Sequence, residues 1–166
     1  MSEAAVLDLL IARADFADPA DAAALVEVLD AYARDPMGGG EPLSDEVRAR
    51  LGPALAEVPG AFAFIARLDG EAVGAATCFM GFSTFAARPL VNIHDVSVLP
   101  AYRGRGIARK LFTAIEDEAR RRGACKVTLE VLSGNERAKA LYASLGYGNY
   151  ALDPAAGTAQ FWEKKL

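Results

Sequence analysis

The first third of the chain spaces its apolar residues mainly at the helical period. Residues 7–13 are an exception, since this short apolar run predicts a strand. Asp18 can cap a helix that has Pro19 in its first turn, and Ser44 can cap a second helix. Between them, the glycine- and proline-rich stretch 35–42 predicts a loop. The expected buried face of the second helix comprises Val47, Leu51 and Leu55.

From residue 61 onward, the pattern predicts a sheet interrupted by two helices. Strands are expected at 61–67, 72–82, 90–98, 126–131, 147–152 and 159–164, and helices at 106–122 and 135–145. Asp69-Gly70 predicts a hairpin turn, and Gly123 predicts the end of the longer helix. The predicted order is β-α-α-β-β-β-α-β-α-β-β. We therefore expect a mixed α/β sheet with helices on both faces, in one domain covering residues 1–166.

Composition narrows the class of protein. The 166 residues are 52% hydrophobic and 24% charged, which is typical of a globular core. A net charge of -4 argues against general nucleic-acid binding, because no basic excess neutralises phosphates. Cys78, Cys125 and the single His94 are too few for a closed zinc site, so we expect no metal. No secretory signal or membrane-length apolar run is visible, so we expect a cytoplasmic protein without membrane contact.

One segment carries candidate chemistry. Residues 96–108, VSVLPAYRGRGIA, take the chain from a buried strand through a basic, glycine-containing turn into a helix. Helix N-termini present unpaired amides, and their dipole favours anions. Gly104 and Gly106 let a phosphate approach the backbone, while Arg103 and Arg105 add positive charge. The alternative is an ordinary structural turn, and the Gly-Lys-Ser/Thr ending of a Walker loop is absent.

These residues resemble a known family. Residues 103–108, RGRGIA, are similar to the Arg/Gln-x-x-Gly-x-Gly/Ala signature of the GNAT (general-control-related N-acetyltransferase) superfamily. Residues 93–100 resemble its fourth strand, and residues 135–147, NERAKALYASLGY, resemble its Asn-x-x-Ala-x-x-Leu-Tyr-x-x-x-Gly-Phe/Tyr motif. The resemblance extends from about 61 to 150. Within the family, the chain looks closest to spermidine/spermine-type enzymes, but His94 stands where those often carry an acidic residue.

The resemblance implies a fold and a cofactor. It implies a GNAT fold, with a mostly antiparallel sheet of six or seven strands, a splayed central parallel pair, and acetyl-coenzyme A as donor. The Val96 amide would bind the thioester oxygen, and Tyr142 would protonate the leaving thiolate. The implied cofactor-binding residues are Val96, Ser97, Val98, Arg103, Gly104, Arg105, Gly106, Ile107, Ala108, Arg109, Asn135 and Tyr142.

A base must remove a proton from the attacking amine, directly or through a water molecule. Asp95 and His94 are the candidates, and strict strand alternation would place them on opposite faces of the sheet. Each also has a structural reading: Asp95 as a residue that braces the strand, and His94 as a hydrogen-bonded histidine. Tyr142 similarly lies on an apolar helical stripe typical of core residues. The candidate acceptor-site residues are Asp30, Tyr32, Asp35 and Met37, which a solvated helix face explains equally well.

We therefore expect an N-acetyltransferase that acts on a primary amine of a small molecule or amino acid by direct attack. The alternatives are acetylation of a protein lysine or N-terminus, and a non-catalytic acyl-coenzyme A binding module. The resemblance also implies a homodimer. The three arginines at 120–122 are expected to be charges at a helix C-terminus, and both cysteines to be structural. The sequence leaves open the acceptor amine, the base and the length of the acyl donor.

Overall fold

The computed structural model describes residues 8–166. The chain divides into two compact units, one up to Leu129 and the other formed by Glu130–Leu166. The expected start of the first strand, at Leu7, lies outside the described residues. No helix in residues 8–166 combines the length and apolar character needed to cross a bilayer.

The first unit contains five strands and three helices within its described residues. They are β1 Leu9–Arg13, α1 Pro19–Ala33, α2 Asp45–Ala56, β2 Phe62–Leu68, β3 Glu71–Ser83, β4 Arg88–Val98, α3 Ile107–Arg121 and β5 Val127–Leu129. The second unit contains α4, Glu136–Ser144. Short 3-10 turns occupy Pro36–Gly38, Pro100–Tyr102 and Pro154–Ala156.

The sheet has the order β1-β2-β3-β4-β5, with antiparallel pairs except for the parallel pair β4–β5. The hairpin between β2 and β3 turns at Asp69 and Gly70, whose φ angles of 50° and 87° suit a tight two-residue connection. The expected mixed α/β sheet, mostly antiparallel with one parallel pair, is therefore confirmed. The expected central position of that pair is not, because β5 is the edge strand of the five described.

The expected number of strands is wrong, because the described residues form five and not six or seven. The segments 147–152 and 159–164 form no strand. Their large apolar side chains stay exposed, as the 83% and 84% exposure of Leu152 and Trp162 shows. A strand is stable only when its backbone pairs and one of its faces is buried. Neither segment obtains that support within the second unit.

Helices cover both faces of the sheet, as expected. On one face, α1 packs against β2 and β3 through a cluster that includes Ala24, Leu25, Val28, Ala63, Ile65 and Ala75. Phe62 points to the opposite face, where the Arg122 guanidinium after α3 lies 4.4 Å from the centre of its ring. Complete burial of an Ile or Phe side chain contributes about 1.5–3 kcal/mol, so both interfaces stabilise the sheet.

The expected helix caps are present, and Leu55 of α2 is buried as expected, but Val47 is not. Asp18 accepts a hydrogen bond from the Ala20 amide (2.9 Å), and Ser44 accepts one from the Val47 amide (3.3 Å). Val47 itself is 43% exposed. The helices α1 and α2 meet closely at Gly52, where a Cβ atom would lie 2.7 Å from that of Ala22. This close approach turns the contact face away from Val47.

The arginines at the C-terminal end of α3 have structural roles. Glu118 is buried and accepts hydrogen bonds of 2.6 Å from both Arg121 and Arg122. Burial alone would raise the pKa of Glu118, but these arginines hold it below its ordinary value. Cys78 is also buried, and burial raises the pKa of its thiol to about 12. The thiol is therefore protonated at neutral pH and is a poor nucleophile.

Candidate functional site

The turn that connects β4 to α3 depends on two glycines in the left-handed region. Gly104 has a φ of 79° and Gly106 a φ of 77°, and Gly106 is the N-cap of α3. Side chains of L-residues rarely adopt these angles. A Cβ atom added to either glycine would meet no other heavy atom within 4 Å. The turn therefore exposes its backbone to open space at the start of a 15-residue helix.

The amides in the first turn of α3 lie before the first hydrogen bond of the helix. The Lys110 amide donates the first hydrogen bond of the helix, to the Gly106 carbonyl (3.1 Å). The amides of Ile107 and Ala108 precede that bond and lie at the positive end of the helix dipole. The Arg103 amide already donates to the Pro100 carbonyl (3.3 Å), so the candidate anion-binding amides begin after it.

The arginine side chains of the turn contact the protein itself. Arg103 donates from Nε to the Val98 carbonyl (3.0 Å) and from Nη2 to the Asp35 carboxylate (3.3 Å). The Arg105 guanidinium carbon lies 5.4 Å from the centre of the Tyr102 ring. The sequence predicts Arg103 as positive charge at an anion site and, through the resemblance, as a cofactor-binding residue, but it does not predict this side-chain contact. Its partner Asp35 is 68 positions away, and no local pattern signals that contact.

One edge of β4 is paired along only part of its length. Within the described residues, β5 pairs with β4 from Val91 to Ile93 and ends at Leu129. β4 continues to Val98 along β3. The pairing of the two parallel strands therefore ends at Ile93 within the described residues. Beyond that point, backbone groups on this edge of β4 face away from β3 without a β5 residue in register.

A β-bulge at His94 decides which residues face that edge. Thr77 pairs with Asp95 and Cys78 with Ile93, so His94 is the extra residue of β4. The Val91 amide faces β5, because it donates to the Lys126 carbonyl (3.1 Å). Strict alternation would then put residues 95 and 97 on this edge. The bulge moves the pattern by one position, so the backbones of Val96 and Val98 face it, as the resemblance implies.

The same bulge overturns the expectation that Asp95 and His94 point to opposite faces. Thr77, the register partner of Asp95, lies two positions from Phe79 and so shares a face with it. The His94 ring contacts Phe79 edge-to-face, with centroids 5.5 Å apart. His94 and Asp95 therefore lie on the same face, because the extra residue breaks the alternation.

Asp95 lies in a partly desolvated environment with other ionisable groups. Burial raises the pKa of Asp95 above its ordinary value, and the nearby charge of His94 acts in the opposite direction. Burial also raises the pKa of Tyr32, and the negative charges of Asp95 and Asp35 raise it further. The face of β4 that holds Asp95 is thus close to the C-terminal end of α1. This arrangement could accept a proton and hold a cationic group.

The four candidate acceptor-site residues differ in their surroundings. Asp30 is buried and bonded to Arg34, Arg48 and the Leu43 amide, a set that fixes the chain after α1. These hydrogen bonds hold the pKa of Asp30 below its ordinary value despite the opposing effect of burial. Tyr32 donates from its hydroxyl to the Met37 carbonyl (3.1 Å).

Comparison with known proteins identifies the family. Residues 25–147 match the model of the "Acetyltransferase (GNAT) family". This chain belongs to that family. It is 37% identical over 100 residues to streptothricin acetyltransferase of Streptomyces lavendulae, covering 59% of this chain and 51% of the relative. It is 31% identical over 118 residues to thialysine N-epsilon-acetyltransferase of Bos taurus, covering 64% and 69%. The chain thus spans about half the length of the streptothricin acetyltransferase.

A solved structure shows the same fold. An aminoglycoside N-acetyltransferase in complex with coenzyme A superimposes with a TM-score of 0.72 at 19% identity, covering 96% of this chain and 97% of that one. At this level of identity, the likeness supports the GNAT fold and not a shared substrate. Within the described residues, no three ligand-type side chains are grouped to hold a metal ion.

The second GNAT motif belongs to the second compact unit. Asn135 caps α4, because its Oδ1 accepts a hydrogen bond from the Ala138 amide (3.2 Å). Tyr142 lies half-buried within α4. The cap explains why asparagine stands at the start of this motif. The cofactor role of Asn135 and both roles of Tyr142 stay predictions from the resemblance.

Proposed function

We propose that this protein transfers an acetyl group from acetyl-coenzyme A to a primary amine of a small molecule or amino acid. The observation that carries the proposal is one strand, β4. Its edge is incompletely paired, it leads into the glycine turn at the N-terminus of α3, and it carries the partly buried carboxylate of Asp95. The names of the streptothricin and thialysine relatives point to small-molecule acceptors.

The donor side of the proposed site fits an extended molecule that carries a diphosphate. The amides that follow Arg103 would bind the diphosphate, since Gly104 and Gly106 leave room for close approach. The edge of β4 at Val96 and Val98 would pair with the amide groups of the pantetheine arm, as an added strand does. Acetyl-coenzyme A supplies an activated thioester carbonyl. The Val96 amide would donate to its oxygen as negative charge develops there.

Asp95 is the proposed base. A lysine-like amine is mostly protonated at pH 7, and deprotonating it costs about 5 kcal/mol. Burial raises the pKa of Asp95, which makes its carboxylate a stronger base than an exposed one. Its position within electrostatic range of Tyr32 suits a cationic acceptor. His94 lies on the same face of β4 as Asp95, and in this proposal its positive charge lowers the pKa of Asp95.

An acceptor screen tests the proposed activity. The purified protein is incubated with acetyl-coenzyme A and polyamines, amino acids, aminoglycosides or short peptides, and thiol release is measured together with acetylated product. We expect at least one small primary amine to give stoichiometric thiol and N-acetyl product. Transfer only to peptides would instead support protein acetylation. Binding of acetyl-coenzyme A without transfer to any amine would support a non-catalytic binding module.

The role of Asp95 predicts a specific pH profile with the acceptor that this screen identifies. In the wild type, kcat/KM falls as pH drops through the raised pKa of Asp95, because the base becomes protonated. Asp95→Asn removes that acidic limb and lowers kcat/KM by about 100-fold. His94→Asn is the matched variant. It moves the limb to higher pH, since the imidazolium no longer lowers the pKa of Asp95. A limb that disappears in His94→Asn but persists in Asp95→Asn would assign the base to His94.

The proposed acid, Tyr142, has a separate test. Tyr142→Phe keeps the ring but removes the hydroxyl that would protonate the leaving thiolate. We expect kcat to fall by about 100-fold, while the affinity for acetyl-coenzyme A measured by calorimetry stays within about twofold. Tyr150→Phe is the control in the same compact unit and should keep the wild-type rate. A wild-type rate in Tyr142→Phe would remove this residue from the mechanism.

The expected homodimer and cytoplasmic location remain predictions from the resemblance and from composition.

A further inference from the structure

We propose that Arg103 is a positioning residue whose side chain couples occupancy of the donor turn to the order of the acceptor loop. The donor turn is defined as residues 103–108 and the acceptor loop as residues 35–40. The inference rests on the proposed function, because it assumes that coenzyme A binds at the donor turn.

The first observation is that the Arg103 guanidinium links two separate segments. Nε donates to the Val98 carbonyl (3.0 Å) at the end of β4, and Nη2 donates to Asp35 Oδ2 (3.3 Å). The two side chains are only 29% and 24% exposed, so solvent screens this ion pair less than a fully exposed one. The planar guanidinium can hold both acceptors in one fixed geometry, whereas an ammonium lacks that fork.

The second observation is that Asp35 organises the acceptor loop. Its Oδ1 accepts from the Met37 amide (2.9 Å), while its carbonyl accepts from the amides of Gly38 (2.7 Å) and Gly40 (3.1 Å). The carboxylate thus has one oxygen for the loop and the other for Arg103. The Arg103–Asp35 pair is therefore placed to hold the backbone of the whole acceptor loop, and not only one side chain.

The acceptor loop in turn contacts the face that holds the proposed base. The Tyr32 hydroxyl donates to the carbonyl of Met37 (3.1 Å), and Tyr32 lies within electrostatic range of Asp95. Gly38 packs so closely on the end of α1 that a Cβ atom would lie 2.0 Å from the Tyr32 carbonyl oxygen. A change in loop order therefore reaches Tyr32 directly.

The coupling follows from these contacts. Binding of a diphosphate to the amides after Arg103 restricts the backbone of the donor turn and favours the guanidinium position seen here. Asp35 and the loop are then held more often in the bonded arrangement. By linkage, an ordered loop favours coenzyme A binding by the same factor. A partly exposed ion pair supports an effect of about threefold.

Hydrogen exchange with coenzyme A as the probe tests this inference without a known acceptor. In the wild type, saturating coenzyme A should slow amide exchange in both the donor turn and the acceptor loop, the latter by about threefold. Asp35→Asn keeps an oxygen for the Met37 amide but removes the ion pair. We expect coenzyme A to protect only the donor turn in this variant, and also in Arg103→Lys, which keeps the charge but lacks the fork.

Asp18→Asn is the matched control. Asp18 also precedes a proline and caps the second following amide at 2.9 Å, but it lies at the opposite end of α1. This variant should show wild-type protection of both segments. Wild-type protection of the donor turn alone would overturn the coupling and leave the proposed function intact. Loop protection that persists in both Asp35→Asn and Arg103→Lys would also overturn it. Protection of neither segment in the wild type would contradict the proposed donor site itself.

Discussion

The constraint on which this molecule depends is the reversal of backbone direction between β4 and α3. Two residues with positive φ, Gly104 and Gly106, lie in the eight-residue connection between the end of β4 and the start of α3. This connection places the positive end of the helix dipole beside the last residues of β4. A diphosphate and the extended arm attached to it need both features close together. A longer connection would separate the amides from the strand edge.

The bulge at His94 is the second determinant of the site. It directly follows Ile93, the last residue of β4 that pairs with β5. It turns the backbones of Val96 and Val98 toward the open edge and places Asp95 on the face of Thr77. A single inserted residue therefore sets both which backbone groups face the open edge of β4 and on which face the proposed base lies. Without the bulge, the backbones of Asp95 and Ser97 would face the open edge, and those of Val96 and Val98 would face β3.

Local physical rules made much of this structure predictable from the sequence. Asp18, Ser44 and the Asp69-Gly70 turn act through groups within three residues, and all three were correctly predicted. The glycine turn was predictable for the same reason. Features that depend on residues far away in the sequence were predicted wrongly or not at all. The strands expected at 147–152 and 159–164 would need a neighbour that the second unit does not provide. The bulge and the Arg103–Asp35 pair depend on β3 and on a loop far away in sequence, and no local pattern encodes them.

The most direct test of the account is titration calorimetry of coenzyme A against the wild type, Gly106→Ala and Gly123→Ala. Both glycines have positive φ, 77° and 69°, and both have open space at the Cβ position. The two substitutions should therefore cost similar stability, about 1–2 kcal/mol. The account predicts tight binding by the wild type and by Gly123→Ala, and at least about tenfold weaker binding by Gly106→Ala, a loss of about 1.4 kcal/mol. Equal affinity in all three proteins, or no binding by the wild type, would contradict it.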